Sequence, residues 1–600
     1  MLAPAAKSTR VFQLMLIKPS HYDDDGYVIQ WVRSAIPSNS LASAYSLARD
    51  AARRQVLGPD ISIAITAIDE TNTRVRIKDV IAQLKQNDGF GMVGLIGAQS
   101  NQFPRTLDIA RPLRAAGIQV VIGGFHVSGC LAMLPKMQPD LQVALDMGCS
   151  LFAGEAEEGR IDKVLQDAAH ATLAPIYNHM SELPALESTP TPYLPPALLK
   201  RTLDHYASFD AGRGCPFQCS FCTIINVQGR KSRRRSPDDI EHLIREHYDQ
   251  GFRWFFVTDD NFARNKDWEQ IFDRIILLRE RDGTAIKMVI QVDTLCHKIP
   301  NFVDKAARAG VKKVFLGLEN INPANLLAAK KRQNKITEYR KMILAWKAAR
   351  VITYAGYILG FPADTAESIR EDIEIIKKEL PLDILEFFCL TPLPGSEDHK
   401  VLDSKGVWMD PDMNKYDLEH VVTGHAKMSK AEWEGIYAEA WKIYYTPEHI
   451  KTILRRAAVF DLGISHLTGL LWIFSRASEL EKVHPLQSGL FRRKYRTDRR
   501  SSMPVEPIWQ FYPKFVWEVA AKHARGLWHY LEIDRMRRAI QKDPQHKNYF
   551  DPSLAPVDDD ENDTLELFTH NAGARDEVAR TRKIAALTSG TAKAAAAAEA

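Results

Sequence analysis

Three of the seven cysteines in the chain lie close together, in the stretch GRGCPFQCSFCTI (212–224). Cys215, Cys219 and Cys222 have the spacing C-x3-C-x2-C, and a thiolate at each position can bind one iron of an iron–sulfur cluster. A [4Fe–4S] cluster normally takes four thiolates, so three leave one iron open to a small molecule that chelates it. The stretch therefore predicts a [4Fe–4S] cluster with three protein ligands.

A structural zinc site, with His205 as fourth ligand, is the alternative explanation of these cysteines. Zinc ligands usually occur as two pairs, such as CxxC followed by a second pair. Cys130, Cys149, Cys296 and Cys389 are scattered along the chain and provide no second pair. The pattern therefore favours the iron–sulfur cluster.

The composition is that of a soluble globular protein, with 45% apolar and 26% charged residues. A length of 600 residues predicts several domains, and a net charge of +4 gives no strong signal for nucleic acid. The apolar run VFQLMLI near the N-terminus is too short for a membrane span and lacks a signal-peptide pattern. We expect a cytoplasmic protein whose thiols stay reduced.

Short apolar runs that suit buried strands alternate with helix-like segments over residues 10–170. The strand candidates are VFQLMLIK, SIAITAI, MVGLIGAQ and VVIGG, and the helix candidate RTLDIARPLRAAG ends in Gly117. This alternation predicts an α/β fold, with a doubly wound (Rossmann-like) parallel sheet over residues 1–179. The proline-rich residues 180–204 predict a linker.

The alternation of strands and helices resumes over residues 205–400. The candidates are a strand before the cysteines and then FRWFFVT, KMVIQV, KKVFLGLE, TYAGYILG and ILEFFCLT. They predict a partial (β/α)6 barrel of TIM type, in which chemistry lies at the carboxyl ends of the strands. Ser236 predicts the cap of a helix that ends near Gly251. Residues 401–550 predict a mostly helical domain, and residues 551–600 a disordered tail.

The cysteine motif, placed after the first barrel strand, resembles that of the radical S-adenosylmethionine (SAM) superfamily. The resemblance implies that SAM chelates the open iron through its amino and carboxylate groups. An electron from the cluster would then cleave SAM and release a 5′-deoxyadenosyl radical, which abstracts a hydrogen atom from the substrate. It also implies an external electron donor such as flavodoxin or ferredoxin.

Further segments at the strand ends resemble SAM-binding segments of this superfamily. They are VTDDNF (257–262), LGLEN (316–320), GYILGFPADT (356–365) and the run TPLPGS after the sixth strand. The resemblance implies that Asp259 and Asp260 bind the SAM ammonium group and that Glu319 binds the ribose. Gly356 and Gly360 would lie beside the adenine, as would the backbone of Phe221.

Residues 10–170 resemble the cobalamin (B12)-binding-like domain that precedes many radical SAM barrels, in GLIGAQS (94–100), VVIGGFHVS (120–128) and LFAGEAEEGR (151–160). Gly123 and Gly124 would bring the backbone near a corrin. The region compared with the cobalt-binding DxHxxG motif, residues 69–79, has no histidine. A bound cobalamin would therefore lack that ligand, and a domain that has lost the cofactor stays an open alternative. His126 is better explained as a hydrogen-bonded histidine.

Two stretches of the sequence bear on what the protein binds. The basic stretch GRKSRRRS (229–236) is typical of a solvated loop, with attraction of an anionic substrate as the alternative. The apolar stretch 459–477, followed by basic residues 491–500, favours a buried cap on the barrel. Peripheral membrane contact and a lipid-like substrate are the alternative. Cys389 at a strand end is a candidate hydrogen-atom donor, although a buried apolar cysteine is the more common explanation.

The sequence thus predicts a radical SAM enzyme that modifies a small-molecule or lipid-like substrate. With cobalamin bound, the expected reaction is methylation of an unactivated carbon. Without it, oxidation, cyclisation or rearrangement is expected, so the choice between methyltransferase and oxidoreductase stays open. A non-catalytic metal- or corrinoid-binding protein is the alternative of another class.

Overall fold

The structure is a computed structural model that describes residues 10–556 and 565–598, with no account of the side chains of 585, 586 and 588–598. The chain divides into two compact units. Unit 1 comprises the residues up to Gln291 together with Thr391–Thr423 and Glu479–Ala524, and unit 2 comprises Val292–Leu390, Gly424–Ser478 and the residues from Arg525 onward. These units do not follow the five segments expected from the sequence, and the boundaries of those segments remain a prediction.

The N-terminal part of unit 1 contains a parallel sheet. The strands of this part of the chain are β1 (Arg10–Lys18), β2 (Gln30–Ser34), β3 (Ile61–Asp69), β4 (Gly91–Leu95), β5 (Gln119–Gly123), β6 (Ser150–Ala153) and β7 (Ile176–Asn178). The sheet order is β3-β1-β4-β5-β6-β7, with β2 outside it. The order reverses between β1 and β4, which is where doubly wound sheets bind ligands. The predicted Rossmann-like sheet is confirmed.

Helices cover this sheet because its strands are apolar on both faces. They are α1 (Asn39–Arg53), α2 (Ile77–Lys85), α3 (Phe103–Ala115), α4 (Phe125–Met133), α5 (Pro139–Asp146) and α6 (Arg160–Ala169). The core between sheet and helices includes Ile17, Val93, Leu95, Ile122 and Leu151, all buried. Ser38 caps α1 by accepting a hydrogen bond from the Leu41 N–H group.

The rest of unit 1 begins with the first strands of the second α/β part. The elements are α7 (Pro196–Leu199), β8 (Tyr206–Phe209), β9 (Gly212–Arg213), α8 (Ile224–Val227), β10 (Arg233–Arg234), α9 (Pro237–Asp249), β11 (Trp254–Val257), α10 (Trp268–Glu280) and β12 (Lys287–Val292). Strand β11 pairs in parallel with β8 and with β12. The predicted cap of α9 is confirmed, since Ser236 Oγ accepts from the Asp239 N–H group.

Unit 2 continues the βα alternation. Its elements up to Leu390 are α11 (Phe302–Ala309), β13 (Val311–Glu319), α12 (Pro323–Ala328), α13 (Ile336–Ala348), β14 (Ile352–Leu359), α14 (Ala366–Glu379) and β15 (Ile384–Cys389). Strand β14 pairs in parallel with β13 and β15. The six parallel strands β8 and β11–β15 are those of the expected partial barrel, and the predicted α/β fold class is confirmed.

The C-terminal region is mostly helical, as predicted. It contains α15 (Glu397–Ser404), α16 (Lys430–Tyr444), α17 (Pro447–Val459), α18 (Ile464–Arg476), β16 (Gly489–Arg493), α19 (Ile508–Lys542), α20 (Glu566–Thr569) and α21 (Ala572–Ala598). Strand β16 pairs antiparallel with β2. Among residues 10–556 and 565–598, no helix combines the length and apolar character that crossing a membrane requires.

The described part of the chain's end contains the helices α20 and α21, and the expected disorder of residues 551–600 stays a prediction. The N–H groups of Glu566 and Leu567 donate to the carboxylate of Glu379, each at 2.8 Å. The side chains of Leu567 and Phe568 are buried. The sequence suggested disorder because this region is polar, whereas a few apolar residues suffice to fix a short helix against α14. Residues 557–564 and 599–600 lie outside the described part of the chain.

Candidate active site

The three clustered cysteines lie in a loop whose base is closed by backbone pairing. Strand β9 pairs antiparallel with β10, with Arg213 opposite Arg233, so that residues 214–232 form one closed loop. Within it, the Cys215 N–H group donates to the Gly229 carbonyl at 3.2 Å. Cys219 is buried, whereas Cys215 and Cys222 are half-buried. The loop therefore holds the cysteines at the carboxyl end of β8, as predicted.

Gly214 allows the chain to enter this loop. Its φ of +92° is in the left-handed region, and a Cβ atom at this position would lie 2.5 Å from the Lys231 carbonyl oxygen. Only glycine has no Cβ to meet that oxygen. The residue before Cys215 is thus fixed by both backbone conformation and space.

Asp259 and Asp260, at the end of β11, bind the entrance of the cysteine loop. Asp259 accepts from the Ala211 N–H group at 2.6 Å, and Asp260 accepts from the Gly214 N–H group at 3.0 Å. Burial raises the pKa of each carboxyl to about 7, although these N–H donors favour the charged form. Both side chains therefore help to position the cysteine loop, a role that the sequence did not predict.

A buried network of arginines and carboxylates supports the same loop. Arg213 lies 2.9 Å from Asp210, 2.7 Å from Glu155 and 2.8 Å from Glu157. Arg233 also pairs with Glu155. The glutamates follow β6, so the network joins the N-terminal sheet to the cysteine loop within unit 1.

The network corrects the interpretation of the basic stretch 229–236. Arg233 pairs with Glu155, and Arg235 is fully buried and donates to the Asp210 carbonyl at 3.0 Å. These two arginines are thus neither in a solvated loop nor available to a substrate. A linear sequence cannot show this, because their carboxylate partners come from other segments.

The TPLPGS run, which follows β15, also contacts the cysteine loop. Asn226 Nδ2 donates to the Gly395 carbonyl at 2.9 Å, and the Asp398 N–H group donates to the Ser220 carbonyl at 3.1 Å. These contacts fix the side of the loop that carries Cys219 and Cys222.

Two adjoining cavities lead from the N-terminal sheet to the cysteine loop. The first has an empty volume of about 1110 Å³, including its open part, and its lining includes Leu16, Gly94, Gly123, Gly124 and Phe152. The second has an empty volume of about 1140 Å³. Its lining includes Ser100, Thr223, Asp260, Tyr416 and Gln487. Asn39, Ser40, Phe125, Arg213 and Gln228 line both cavities. The two cavities therefore adjoin each other along these residues.

The first cavity fits part of a cobalamin. It opens at the carboxyl ends of β4 and β5, beside the point where the strand order reverses, and glycines form part of its wall. The described residues that line the two cavities include no histidine. His21, in the loop after β1, is buried, and burial lowers its pKa to about 4. His126 is hydrogen-bonded to Asp140 at 2.8 Å, in line with its expected structural role.

The cysteine loop fits a multi-iron cluster in its donor chemistry. Burial raises the pKa of Cys222 to about 12, with the neighbouring Cys219 adding to the shift, so a thiolate there requires a cation beside it. Among the described residues, no three His, Cys, Asp or Glu side chains converge on a single metal ion. His205, the fourth zinc ligand in the alternative, is exposed. Phe221, between Cys219 and Cys222, is half-buried.

Unit 2 contains the other residues expected to bind SAM. Glu319 has a φ of +63° and pairs with Lys331. A Cβ at Gly360, where φ is +100°, would overlap the indole ring of Trp433. The ring of Trp433 thus requires a glycine at position 360, independently of the predicted contact with adenine.

Gly356 and Cys389 complete the predicted residues of unit 2. A Cβ at Gly356 would lie 3.0 Å from the Phe388 ring and 3.1 Å from the Phe315 ring. Cys389, at the end of β15, is buried. Their predicted roles toward SAM and substrate remain predictions.

The sequence missed several residues of the site. No sequence motif connected the cysteines with Asp210, Glu155 or Glu157. Tyr416 and Gln487, which line the second cavity, come from the region predicted only as helical. The available signal was the acidic segment LFAGEAEEGR, which contains Glu155, Glu157 and Glu158.

The chain is similar in sequence to known proteins. Residues 211–376 match the family model of the Radical SAM superfamily. The bacteriochlorophyllide d C-8(2)-methyltransferase of Chlorobaculum tepidum is 28% identical over 435 residues, which cover 68% of this chain and 92% of that protein. The hopanoid C-2 methylase of Rhodopseudomonas palustris is 23% identical over 407 residues, covering 67% of this chain and 72% of that protein.

A solved structure extends the comparison. The cobalamin-dependent S-adenosylmethionine radical enzyme OxsB, with aqua-cobalamin and S-adenosylmethionine bound, aligns with a TM-score of 0.54. The alignment covers 94% of this chain and 84% of OxsB at 13% identity. At this identity the likeness shows a shared fold.

Proposed function

The chain belongs to the radical SAM superfamily, and from this premise we propose that it methylates an unactivated carbon of a small organic substrate in a cobalamin-dependent reaction. Its cofactors as a radical SAM enzyme are a [4Fe–4S] cluster and SAM. The observation that carries the proposal is that the glycine-lined cavity adjoins a second cavity whose lining includes Thr223 and Ile224 of the cysteine loop. A methyl carrier and a SAM-cleaving cluster could face each other across these cavities.

Each part of the chain has a defined task in this proposal. Cys215, Cys219 and Cys222 would hold the cluster, and the glycine wall at Gly123 and Gly124 would admit the corrin. When bound, these groups supply the electron that splits SAM and the carrier of the methyl group. Burial of the loop base excludes water from the reacting groups.

The predicted SAM contacts are included in the proposal. Asp260 lines the second cavity, where its carboxylate could accept from the SAM ammonium group as well as from Gly214. Asp259 is committed to the Ala211 N–H group and would act by positioning the loop. The backbone of Phe221, together with Gly356 and Gly360, is proposed to lie near the adenine, and Glu319 near the ribose.

The substrate and partners follow from the same proposal. Two similar proteins are named for methylation of a bacteriochlorophyllide and of a hopanoid, both largely apolar molecules. We therefore propose a lipid-like or other small apolar substrate. An external donor such as flavodoxin or ferredoxin would reduce the cluster in the cytoplasm, and the enzyme would contact the membrane peripherally.

Corrin content tests the proposal most directly. The enzyme is produced with cobalamin uptake, purified without oxygen, and measured for bound corrin, iron and 5′-deoxyadenosine release. In Ser43→Phe the new ring would fill the first cavity, which Ser43 lines on α1. Ala52→Phe, on the same helix but outside that lining, is the control.

We expect Ser43→Phe to lose corrin and methyl transfer while it retains the cluster. Methyl transfer that persists without corrin would contradict the cobalamin-dependent reaction. Release of 5′-deoxyadenosine by a corrin-free wild-type enzyme, without methyl transfer, would instead support oxidation, cyclisation or rearrangement.

A further inference from the structure

The longest helix of the chain exposes an apolar face. Helix α19 runs over Ile508–Lys542. Its exposed large apolar residues are Ile508, Trp509, Tyr512, Val516, Trp517, Leu527, Trp528, Tyr530 and Leu531. At about 100° per residue, these positions spread over about 200° of the helix circumference. The buried residues Phe511, Ile533 and Ile540 lie on the opposite side.

Three tryptophans dominate this face. Trp509, Trp517 and Trp528 expose 73%, 76% and 71% of their surface. Several large aromatic residues exposed on the same helix indicate an interaction surface. Tryptophan in particular prefers the boundary between water and lipid, because its ring is apolar and its N–H group is polar.

The charges on α19 indicate which partner this face would bind. The helix carries Lys514, Lys522, Arg525, Arg535, Arg537, Arg538 and Lys542, against Glu518, Glu532 and Asp534. Arg525 and Arg535 are exposed, and neither pairs with a carboxylate among the described residues. An apolar face flanked by an excess of basic residues complements an anionic lipid surface.

We propose that α19 lies along the surface of an anionic lipid bilayer, with its tryptophans in the interfacial layer and its basic residues toward the lipid phosphates. The length suits this arrangement, because 35 residues of α-helix extend about 52 Å. This inference specifies the peripheral contact named in the proposed function but does not depend on its chemistry.

In this proposal α19 contacts the membrane, in place of the apolar stretch 459–477 that the sequence had suggested. In α18 (Ile464–Arg476), the apolar residues Leu467, Leu471 and Phe474 are buried. Phe474 packs against Tyr354, with ring centroids 5.3 Å apart. The apolar character of 459–477 is therefore that of a packed cap, as favoured above, whereas α19 presents its aromatic residues to solvent.

Vesicle flotation tests the proposal with the full-length chain. The probes are vesicles of equal parts phosphatidylglycerol and phosphatidylcholine, and vesicles of phosphatidylcholine alone. The test variant carries Trp509→Ser, Trp517→Ser and Trp528→Ser together. The matched control is Trp408→Ser, which changes a tryptophan that is 54% exposed outside this helix.

We expect wild type and Trp408→Ser to float with the anionic vesicles and the triple variant to bind at least about tenfold more weakly. Arg525→Glu with Arg535→Glu should also weaken binding at least about tenfold, and only on anionic vesicles. Circular dichroism and iron content should be unchanged in all variants, because the substituted side chains are exposed.

Two results would overturn the proposal. The first is that wild type floats with neither kind of vesicle. This includes the outcome in which the exposed face of α19 joins two copies of the chain and the triple variant no longer forms that dimer. The other is equal flotation of wild type and the triple variant. Neither result bears on corrin content or SAM cleavage, so this test and that of the proposed function can fail separately.

Discussion

The carboxylate of Asp260 accepts a hydrogen bond from the backbone N–H group of Gly214, with 3.0 Å between nitrogen and oxygen. This bond joins the end of β11 to the residue before Cys215. The same carboxylate lines the second cavity. A single side chain therefore contributes both to the shape of the cysteine loop and to the space in which SAM is proposed to bind.

Two substitutions of Asp260 separate these roles. Asp260→Asn keeps an oxygen that can accept from Gly214, so we expect normal iron content. The loss of charge should weaken SAM binding by about tenfold to a hundredfold, the range for a hydrogen bond to a charged group. Asp260→Ala should lose iron as well. Iron analysis and SAM titration measure the two effects, and equal SAM affinity in Asp260→Asn and wild type would contradict the proposed contact.

Gly214→Ala should prevent the loop from forming. The new methyl group would lie 2.5 Å from the Lys231 oxygen, in addition to the cost of φ at +92°. Gly251→Ala is the matched control, because Gly251 has φ at +94° and open space around it. We expect the control to lose about 1 to 2 kcal/mol of stability and keep its iron, whereas Gly214→Ala loses iron. Similar iron content in both variants would show that the contact between a side chain at position 214 and the Lys231 oxygen does not prevent the loop from forming.

Cys219→Ala should abolish cluster binding and SAM cleavage together. Loss of a metal ligand should reduce 5′-deoxyadenosine formation by more than about a hundredfold, beyond the loss typical of an outer-shell partner. Cys149→Ala, which alters a buried cysteine of the N-terminal sheet domain, is the control and should retain both properties. Unchanged SAM cleavage in Cys219→Ala would refute the ligand assignment.

Arg213→Met tests the buried network. Its removal leaves the buried Glu157 without its cation, whereas Asp210 keeps Arg235 and Glu155 keeps Arg233. The unpaired carboxylate should cost about 3 to 5 kcal/mol of unfolding free energy. Arg245→Met, at a side chain that is 44% exposed, should cost at most about 1 kcal/mol. Urea unfolding measures both, and equal costs would mean that the network does not hold the loop.

Asp372 should make stability depend on pH. Burial raises the pKa of this carboxyl to about 8, although the Tyr357 hydroxyl donates to it at 2.8 Å. The folded state therefore keeps a proton that the unfolded chain releases near pH 4, and stability from this group falls as pH rises from about 4 to about 8. His570, 3.8 Å away, has a pKa lowered by burial.

The matching variant is Asp372→Asn, which does not titrate. Relative to wild type, its urea midpoint should rise as pH increases from about 5.5 to about 8.5. Parallel pH profiles would show that Asp372 is already ionised in the folded protein across this range.

Much of the fold followed from local patterns. The strands β1, β3, β12 and β14 lie within one residue of the apolar runs that predicted them, because buried parallel strands need continuous apolar stretches. Helix α9 begins where Ser236 and Pro237 indicated. Helix α20 did not stand out in the sequence, because the few apolar residues that anchor it are a weak signal in a polar segment.

The sequence by itself predicted the chemistry, since the spacing of Cys215, Cys219 and Cys222 is a local property that persists in any fold of the loop. Only the tertiary structure decided what surrounds that loop. Arg213 meets Glu155 across 58 positions of the chain, and contacts at such separation leave no periodic trace in the sequence. The exposed face of α19 was hidden for the same reason: an apolar residue indicates burial, and only the packing of the whole chain reveals which apolar residues remain in solvent.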